Sequence, residues 1–156
     1  MKRVLLTGMS GTGKSTVIAR LAKLGYKVVD SDYGGFTVEV DSGTGRERLW
    51  REDRIQEVSS TEDAEVLFIS GTSRNQVRFY PQFDHIVLLS APADVLVERL
   101  HNRTNNPYGK TAAELTETLG FLRTVEPMLR SRATLEIDTS ASLDRVVSAI
   151  LEHVLT

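Results

Sequence analysis

The sequence lacks cysteine and is poor in histidine, in aromatic residues and in long apolar runs. Of its 156 residues none is cysteine, three are histidine and 6% are aromatic. Disulfides, cysteine-ligated zinc and thiol catalysis are therefore excluded, and the scattered histidines (His85, His101, His153) lack the spacing of metal ligands. No apolar stretch could cross a bilayer, and we expect no signal peptide. The expected location is the cytoplasm, without a membrane partner.

The sequence also lacks an excess of charge of either sign. It has 19 Lys and Arg against 21 Asp and Glu, which gives a formal net charge of −2. Proteins that bind nucleic acid or anionic membranes carry a broad basic field, so nucleic acid is an unlikely partner. A local basic patch is compatible with this total. The length predicts one domain over residues 1–156, and nothing in the sequence indicates the oligomeric state.

What the sequence does contain is GMSGTGKST, from Gly8 to Thr16. This stretch fits G-x-x-x-x-G-K-[ST], whose glycines let backbone N–H groups surround a phosphate. Lys14 would reach the β- and γ-phosphates of ATP, and the Ser15 hydroxyl would ligate Mg²⁺. An apolar β-rich run precedes the loop and a helical pattern follows it, as the motif requires. The predicted phosphate-binding residues are Gly8, Ser10, Gly11, Thr12, Gly13, Lys14, Ser15 and Thr16.

Strand and helix patterns alternate along the rest of the chain, which predicts an α/β fold. Near-continuous apolar strands separated by helices indicate a parallel sheet covered on both faces. We therefore predict a three-layer P-loop NTPase fold with a five-stranded parallel sheet, and we expect Pro127 to kink or split the helix around it. The predicted strands cover residues 2–7, 26–30, 65–70, 84–90 and 133–137, and the predicted later helices cover 92–103, 112–130 and 143–154.

Two segments depart from this alternation. Residues 33–62 form an insert after strand two, in which FTVEV and RERLW flank DSGTG as a small hairpin before a short helix. Residues 104–111, TNNPYGKT, form a polar loop between two helices and are the predicted lid. Because such loops lie outside the ends of the strands, where α/β folds bind ligands, we expect the insert to hold an acceptor.

Several classes of P-loop protein are excluded by motifs that the sequence lacks. It has no N-K-x-D for guanine and no L-S-G-G-Q of transporters. The strand that ends in Ser70-Gly71 has no terminal aspartate of the usual Walker B type. The acidic residues follow strand two instead, as Asp30 and Asp32 in DSDYGG.

These motifs together resemble the small-molecule P-loop kinases, particularly shikimate kinase and gluconate kinase, and more distantly adenylate kinase. The resemblance covers nearly the whole chain except the insert. DSD is similar to the D-x-D of shikimate kinase, which implies Asp32 as the base or orienter of an acceptor hydroxyl and Asp30 on the magnesium side. FISGTSRNQVRFY resembles the third-strand segments of gluconate kinase and adenylate kinase, with Arg74 matching an arginine of the latter.

The resemblance also implies roles for later residues. DVLVERLHNR is similar to the helix leading into the lid, which would place Arg99 and Arg103 on the phosphates, with Lys110 a weaker candidate. IDTSASLDRVV resembles the last strand and the loop around adenine, with Asp138 among the nucleotide contacts. Three departures argue against shikimate and gluconate as substrates. There is no Gly-Gly-Gly after strand three, Val125 and Glu126 stand where an arginine precedes the proline, and NPYG replaces the lid His-Phe.

The predicted function is therefore transfer of the γ-phosphate of ATP, with Mg²⁺, to a hydroxyl of a small anionic metabolite. Lys14, Asp32, Arg99 and Arg103 are the candidate catalytic residues. The alternatives are an Asx turn for Asp32, a solvated helix face for Arg99 and Arg103, and a Gly-rich turn that binds nothing for the loop of Lys14. Trp50 could line the acceptor pocket or anchor the insert's own core. Two alternatives stay open, a nucleoside or nucleotide kinase and an ATP-binding regulatory protein. The arginines of the insert interleave with carboxylates, as a solvated salt-bridged face also would, and those after strand three have the stronger claim by position. The candidate acceptor-binding residues are Asp32, Arg46, Arg51, Arg74 and Arg78.

Overall fold

A parallel sheet with strand order β2-β5-β1-β6-β7 forms the centre of the molecule. The computed structural model describes residues 1–41, 43, 45–104 and 108–156. Strands β3 and β4 pair with each other as a separate antiparallel hairpin. The strands are β1 (Lys2–Thr7), β2 (Lys27–Asp30), β3 (Thr37–Asp41), β4 (Arg46–Trp50), β5 (Val66–Ser70), β6 (His85–Ser90) and β7 (Leu135–Asp138).

Helices cover both faces of the sheet, as the alternation predicts. A 3₁₀ helix, Arg74–Gln82, follows β5. The predicted fold class is confirmed, and element ends differ from prediction by one or two residues. The helices are α1 (Lys14–Lys23), α2 (Glu52–Ser59), α3 (Ala93–Asn102), α4 (Ala112–Thr124), α5 (Glu126–Arg132) and α6 (Leu143–Leu155).

Two of these differences have local causes. Strand β2 begins at Lys27 because Tyr26 still closes the end of α1. Its N–H donates to the Leu21 carbonyl, while Gly25, at φ +95°, donates to Ala22. This is the glycine-dependent end of a helix that leaves its last carbonyls paired. The predicted helix 112–130 is split between α4 and α5 next to Pro127, which has no N–H to continue the first helix.

Strand β1 lies at the centre of the sheet, and its side chains alternate between two apolar clusters. Val4 and Leu6 pack in one cluster with α1 and α6, and Leu5 packs in the other with the insert and the 3₁₀ helix. All three are fully buried. The carboxyl ends of β1, β2 and β5 therefore meet at one rigid edge, from which the loops of the site extend.

The insert consists of the β3–β4 hairpin and α2, joined to the sheet through Trp50 and Ile55, which are 2% and 0% exposed. Residues 42 and 44 of the predicted turn and residues 105–107 of the predicted lid lie outside the described residues. Beyond them, Lys110 donates to the His101 carbonyl at 2.7 Å. Within the described part of the chain, no helix combines the length and hydrophobicity needed to span a membrane.

Candidate phosphate-binding and transfer site

The Gly-rich loop connects β1 to α1 in the geometry that the motif predicts. Gly8 has φ +154°, and a Cβ there would come within 2.3 Å of the Leu89 carbonyl oxygen, so the loop passes too close to β6 for any side chain. Gly13, at φ +94°, precedes the first residue of α1. The N-terminal end of α1 and its unpaired N–H groups therefore face the space that a phosphate would fill.

Lys14 points back into this loop. Its Nζ donates to the carbonyl oxygens of Gly8 at 2.6 Å and Met9 at 3.0 Å. Burial lowers its pKa from 10.5 to about 8, with Asp32 and Asp30 opposing this shift and Arg103 adding to it. A buried ammonium held only by carbonyl oxygens is poorly compensated, so an anionic ligand in the loop would stabilise its charged form.

The first residue after Lys14 connects the loop to strand two. Ser15 Oγ donates to Asp30 Oδ2 at 2.7 Å, and the other oxygen of Asp30 accepts from the Asp32 N–H at 3.2 Å. Hydroxyl and carboxylate oxygens are hard donors of the kind that Mg²⁺ prefers. No group of three or more metal-ligating side chains is found among the described residues. Magnesium at phosphate sites commonly takes only one or two protein ligands, so this pair fits such an ion.

A cleft of about 680 Å³ opens over the loop. Its walls come from the loop and α1, from Asp32 and Tyr33 after β2, from α3, and from the segment between β7 and α6. Asp32 is exposed in this cleft, and within the described part of the chain its carboxylate has no hydrogen-bond or ion-pair partner. A free carboxylate therefore stands across the cleft from Lys14.

The two arginines of α3 differ in what they bind. Arg99 donates to Gly11 O at 3.2 Å, to Thr139 Oγ1 at 2.9 Å and to Thr139 O at 2.5 Å, so it joins the phosphate loop to the segment after β7. Arg103 donates to Tyr108 O at 2.6 Å. Its buried Nε has no partner among the described residues, and burial lowers its pKa. Among the described residues Arg103 thus has one hydrogen bond, to Tyr108, where Arg99 has three.

Sequence reasoning named Asp138 in the segment after β7 but missed its neighbour. The Asp138 carboxylate accepts from the N–H and hydroxyl of Ser140, at 2.8 and 2.5 Å, and closes a turn. Thr139, 6% exposed, is the residue that lines the cleft and holds Arg99. The run of polar residues after an apolar strand, DTSAS, is the signal that could have indicated it.

The predicted acceptor-binding arginines each pair with a carboxylate of the insert. Their side chains are 42–77% exposed, and none of the four belongs to the wall of the cleft. Surface pairs of this kind exchange partners at little cost, so they neither support nor exclude an anionic ligand. The pairs are Arg46–Glu39, Arg51–Asp53, Arg74–Glu47 and Arg78–Glu52, at 2.9, 3.1, 3.2 and 3.4 Å.

A further set of contacts after β5 was missed entirely. The Thr72 hydroxyl donates to Gly8 O at 2.5 Å, and Gln76 Nε2 donates to Thr7 Oγ1 at 3.1 Å. Ser73 and Gln76 form a reciprocal cap at the start of the 3₁₀ helix. The phosphate loop is thereby supported from the β5 side, and the polar run GTSRNQ after a buried strand is the signal in the sequence.

With this geometry described, the chain can be compared with known proteins. Solved structures of similar shape include the shikimate kinase of Acinetobacter baumannii, solved with shikimate, at 24% identity and TM-score 0.70, covering 99% of this chain and 93% of that one. The shikimate kinase of Bacteroides thetaiotaomicron is 20% identical, with TM-score 0.68 and 99% coverage of both chains. A sugar kinase of Janibacter sp. HTCC2649 is 18% identical, with TM-score 0.58 and coverage of 97% and 93%.

The chain has the phosphate-binding loop and the fold of the P-loop kinases to which it is similar, so the predicted resemblance to the shikimate kinase group is confirmed. At these identities the likeness establishes the fold. The chain belongs to the AAA domain family, whose model matches residues 4–120. No curated protein matches the sequence.

Proposed function

We propose that this protein is an ATP-dependent kinase that transfers the γ-phosphate to a hydroxyl of a small metabolite. The observation that carries the proposal is the free carboxylate of Asp32, which lines the same cleft as Lys14 and Arg103. A carboxylate in this place can orient the hydroxyl of an acceptor beside the phosphate loop. The similarity of the fold to shikimate kinases and a sugar kinase supports the same reaction class.

Transfer requires alignment and positive charge over the γ-phosphate more than covalent chemistry. In the proposal, the loop amides and Lys14 hold the phosphates. Ser15 and Asp30 would hold Mg²⁺, which would neutralise negative charge on the phosphates. The acceptor oxygen forms the new bond to phosphorus as the bond to the bridging oxygen of ADP breaks. Asp32 accepts the hydroxyl proton or orients the hydroxyl, and the guanidinium of Arg103, which lines the cleft, supplies positive charge for the charge that develops.

The acceptor would lie between Asp32 and the insert. An anionic acceptor stays a prediction from the number of arginines there, and it requires one of them to exchange its carboxylate partner for the ligand. Arg51 and Arg74, paired at 3.1 and 3.2 Å, are the proposed contacts. The cytoplasm, where ATP and metabolites are both abundant, stays the predicted location.

The test is transfer of label from γ-labelled ATP with Mg²⁺ to a fractionated metabolite extract, comparing wild type with Asp32→Asn. We expect one labelled small molecule from the wild type and at least 100-fold less from the variant, at unchanged ATP affinity (about the loss typical of a general base). Asp63→Asn is the control, because that exposed carboxylate binds Lys27 at 2.7 Å, away from the cleft. Label released only as free phosphate, equally by all three proteins, would overturn the kinase proposal and favour an ATP-binding regulator.

A further inference from the structure

The indole of Trp50 reaches out of the insert and contacts the segment that carries both aspartates. Its Nε1–H donates to Ser31 Oγ at 3.0 Å, and Ser31 stands between Asp30 and Asp32. Trp50 is 2% exposed and Ser31 is 1% exposed. A hydrogen bond with no access to water is costly to break, since neither partner could be solvated in its place.

Ser31 has little freedom to move independently of this bond. Its N–H donates to the Ser70 carbonyl at 2.9 Å, which continues the β2–β5 ladder beyond the end of the strand. On its other side lies Gly71, where a Cβ would come within 2.0 Å of Ser31 Oγ and 3.2 Å of Trp50 Nε1. Gly71 thus leaves room for the indole and the hydroxyl to meet.

Trp50 is itself held firmly at its backbone. Its N–H donates to Ser73 Oγ at 3.1 Å and Asn75 Oδ1 at 3.0 Å, and its carbonyl accepts from Asn75 Nδ2 at 2.9 Å. The Asn75 amide therefore pairs with Trp50 as a neighbouring strand would. The indole also packs edge-on against Phe79, with ring centroids 5.8 Å apart. The donor, the last residue of β4, is thus anchored to the segment after β5 as well as to the hairpin.

The two carboxylates, in contrast, lie on the short segment that Ser31 joins, so the position of Ser31 affects both. Asp32 has no side-chain partner in the described part of the chain. Asp30 is held by Ser15 and by the Asp32 N–H, so any displacement of Ser31 would move both aspartates together. We propose that Trp50 is a positioning residue for the Asp30–Asp32 segment, acting through its indole N–H on Ser31. This rests on the proposed function, in which Asp30 and Asp32 face magnesium and the acceptor.

The test uses Mg²⁺ and adenylyl imidodiphosphate, a non-hydrolysable ATP analogue, so that it requires no acceptor. Calorimetry gives the affinity of the analogue with and without Mg²⁺, and the ratio reports the magnesium side of the site. Groups that hydrogen-bond to a metal ligand typically change the metal affinity about 10-fold to 100-fold, and Trp50 acts one step further away, so we take the lower value. We expect Trp50→Phe and Ser31→Ala each to reduce the magnesium-dependent gain about 10-fold and to leave magnesium-free binding unchanged.

The double variant separates positioning from packing. Trp50→Phe and Ser31→Ala remove the same hydrogen bond. The double variant should therefore lose no more of the magnesium-dependent gain than either single variant does. Ile55→Val is the matched control, since it trims a fully buried side chain of the same apolar cluster without touching Ser31. It should lower stability to urea and leave the magnesium-dependent gain as in wild type. Ser31→Ala is the smaller change and keeps the test valid if Trp50→Phe does not fold.

Three outcomes decide between the proposals. A magnesium-dependent gain that is intact in Trp50→Phe and Ser31→Ala but lost in Asp30→Asn overturns the role of Trp50 alone. Equal losses in Ile55→Val and Trp50→Phe overturn it too, because they show a packing effect. If the variants lose the magnesium-dependent gain as expected, but the wild type releases label only as free phosphate, the role of Trp50 is upheld and the proposed kinase function is overturned.

Discussion

The two sides of the cleft are built differently. On the nucleotide side, Arg99 has three hydrogen bonds to Gly11 and Thr139, and Lys14 has two to the loop, so the polar groups are held before any ligand arrives. On the acceptor side, the Asp32 carboxylate has no hydrogen-bond or ion-pair partner in the described part of the chain, and Arg103 has one hydrogen bond there, to the Tyr108 carbonyl. Preorganised groups bind with little reorganisation, whereas unpaired groups are available for bonds that form only in the reacting complex.

The largest expected difference between the two sides comes from substituting each of the two arginines of α3 in turn. Arg103→Met should lower kcat for phosphate transfer by about 10³-fold, since an arginine acting on the transition state contributes at least that much. Arg99→Met, four residues away on the same helix, should weaken nucleotide binding and leave kcat much closer to wild type. Steady-state kinetics with γ-labelled ATP and the fractionated extract separates kcat from KM. The reverse pattern would place the transition-state role on Arg99.

The pH dependence of nucleotide binding tests the preorganised side. Lys14 in the free protein has a pKa of about 8, below its ordinary 10.5, so it loses its charge as the pH rises through 8. Bound phosphates favour the charged form, and binding must then take up a proton. Affinity should therefore fall about tenfold per pH unit above pH 8, until the pH reaches the pKa of Lys14 in the complex.

Calorimetry in buffers of different ionisation enthalpy measures this proton uptake directly. Lys14→Arg is the control, because a guanidinium stays charged throughout this range. An equal fall in affinity in Lys14→Arg would assign the titration to another group. For stability the sign is opposite: between pH 8 and 10.5 the unfolded chain binds more protons at Lys14, so this group makes the free protein more stable as the pH rises.

Features of the fold and the site that involve residues close together in the sequence could be predicted, and contacts between residues far apart in the sequence could not. The phosphate loop is local, and its glycines, Lys14 and Ser15 follow one another as the motif requires. The near-continuous apolar strands that alternate with helix patterns were enough to predict the parallel sheet. The bonds that distinguish the two sides join distant residues: Arg99 meets Thr139 and Trp50 meets Ser31, pairs 40 and 19 positions apart. No periodicity encodes such a contact, and the arginines of the insert gave the same pattern for a ligand site as for surface ion pairs.

Removing Asn75 tests whether the insert is fixed to the sheet where the two sides meet. Asn75→Ala should leave the half-buried Trp50 carbonyl without its partner and cost about 1–2 kcal/mol of folding free energy. Urea unfolding followed by the fluorescence of Trp50, the single tryptophan, measures the loss. Gln82→Ala is the control, because it removes an exposed side-chain bond to Gln56. Equal midpoints for the two variants would show that Asn75 does not fix the insert.

The smallest expected effects separate the insert arginines from one another. Arg46→Ala removes an exposed pair with Glu39 at the far end of the hairpin and should change stability by less than about 0.5 kcal/mol, with transfer of label unchanged. Arg51→Ala and Arg74→Ala remove surface pairs that are partly exposed, so the stability of these variants should also change little. If the acceptor is anionic, however, these two should slow labelling of the metabolite at low extract concentration and recover at high concentration, which is the behaviour of a binding contact. Arg46→Ala shares the chemistry of the substitution but not the position, so a matching loss in all three would assign the effect to the hairpin's overall charge rather than to an acceptor contact.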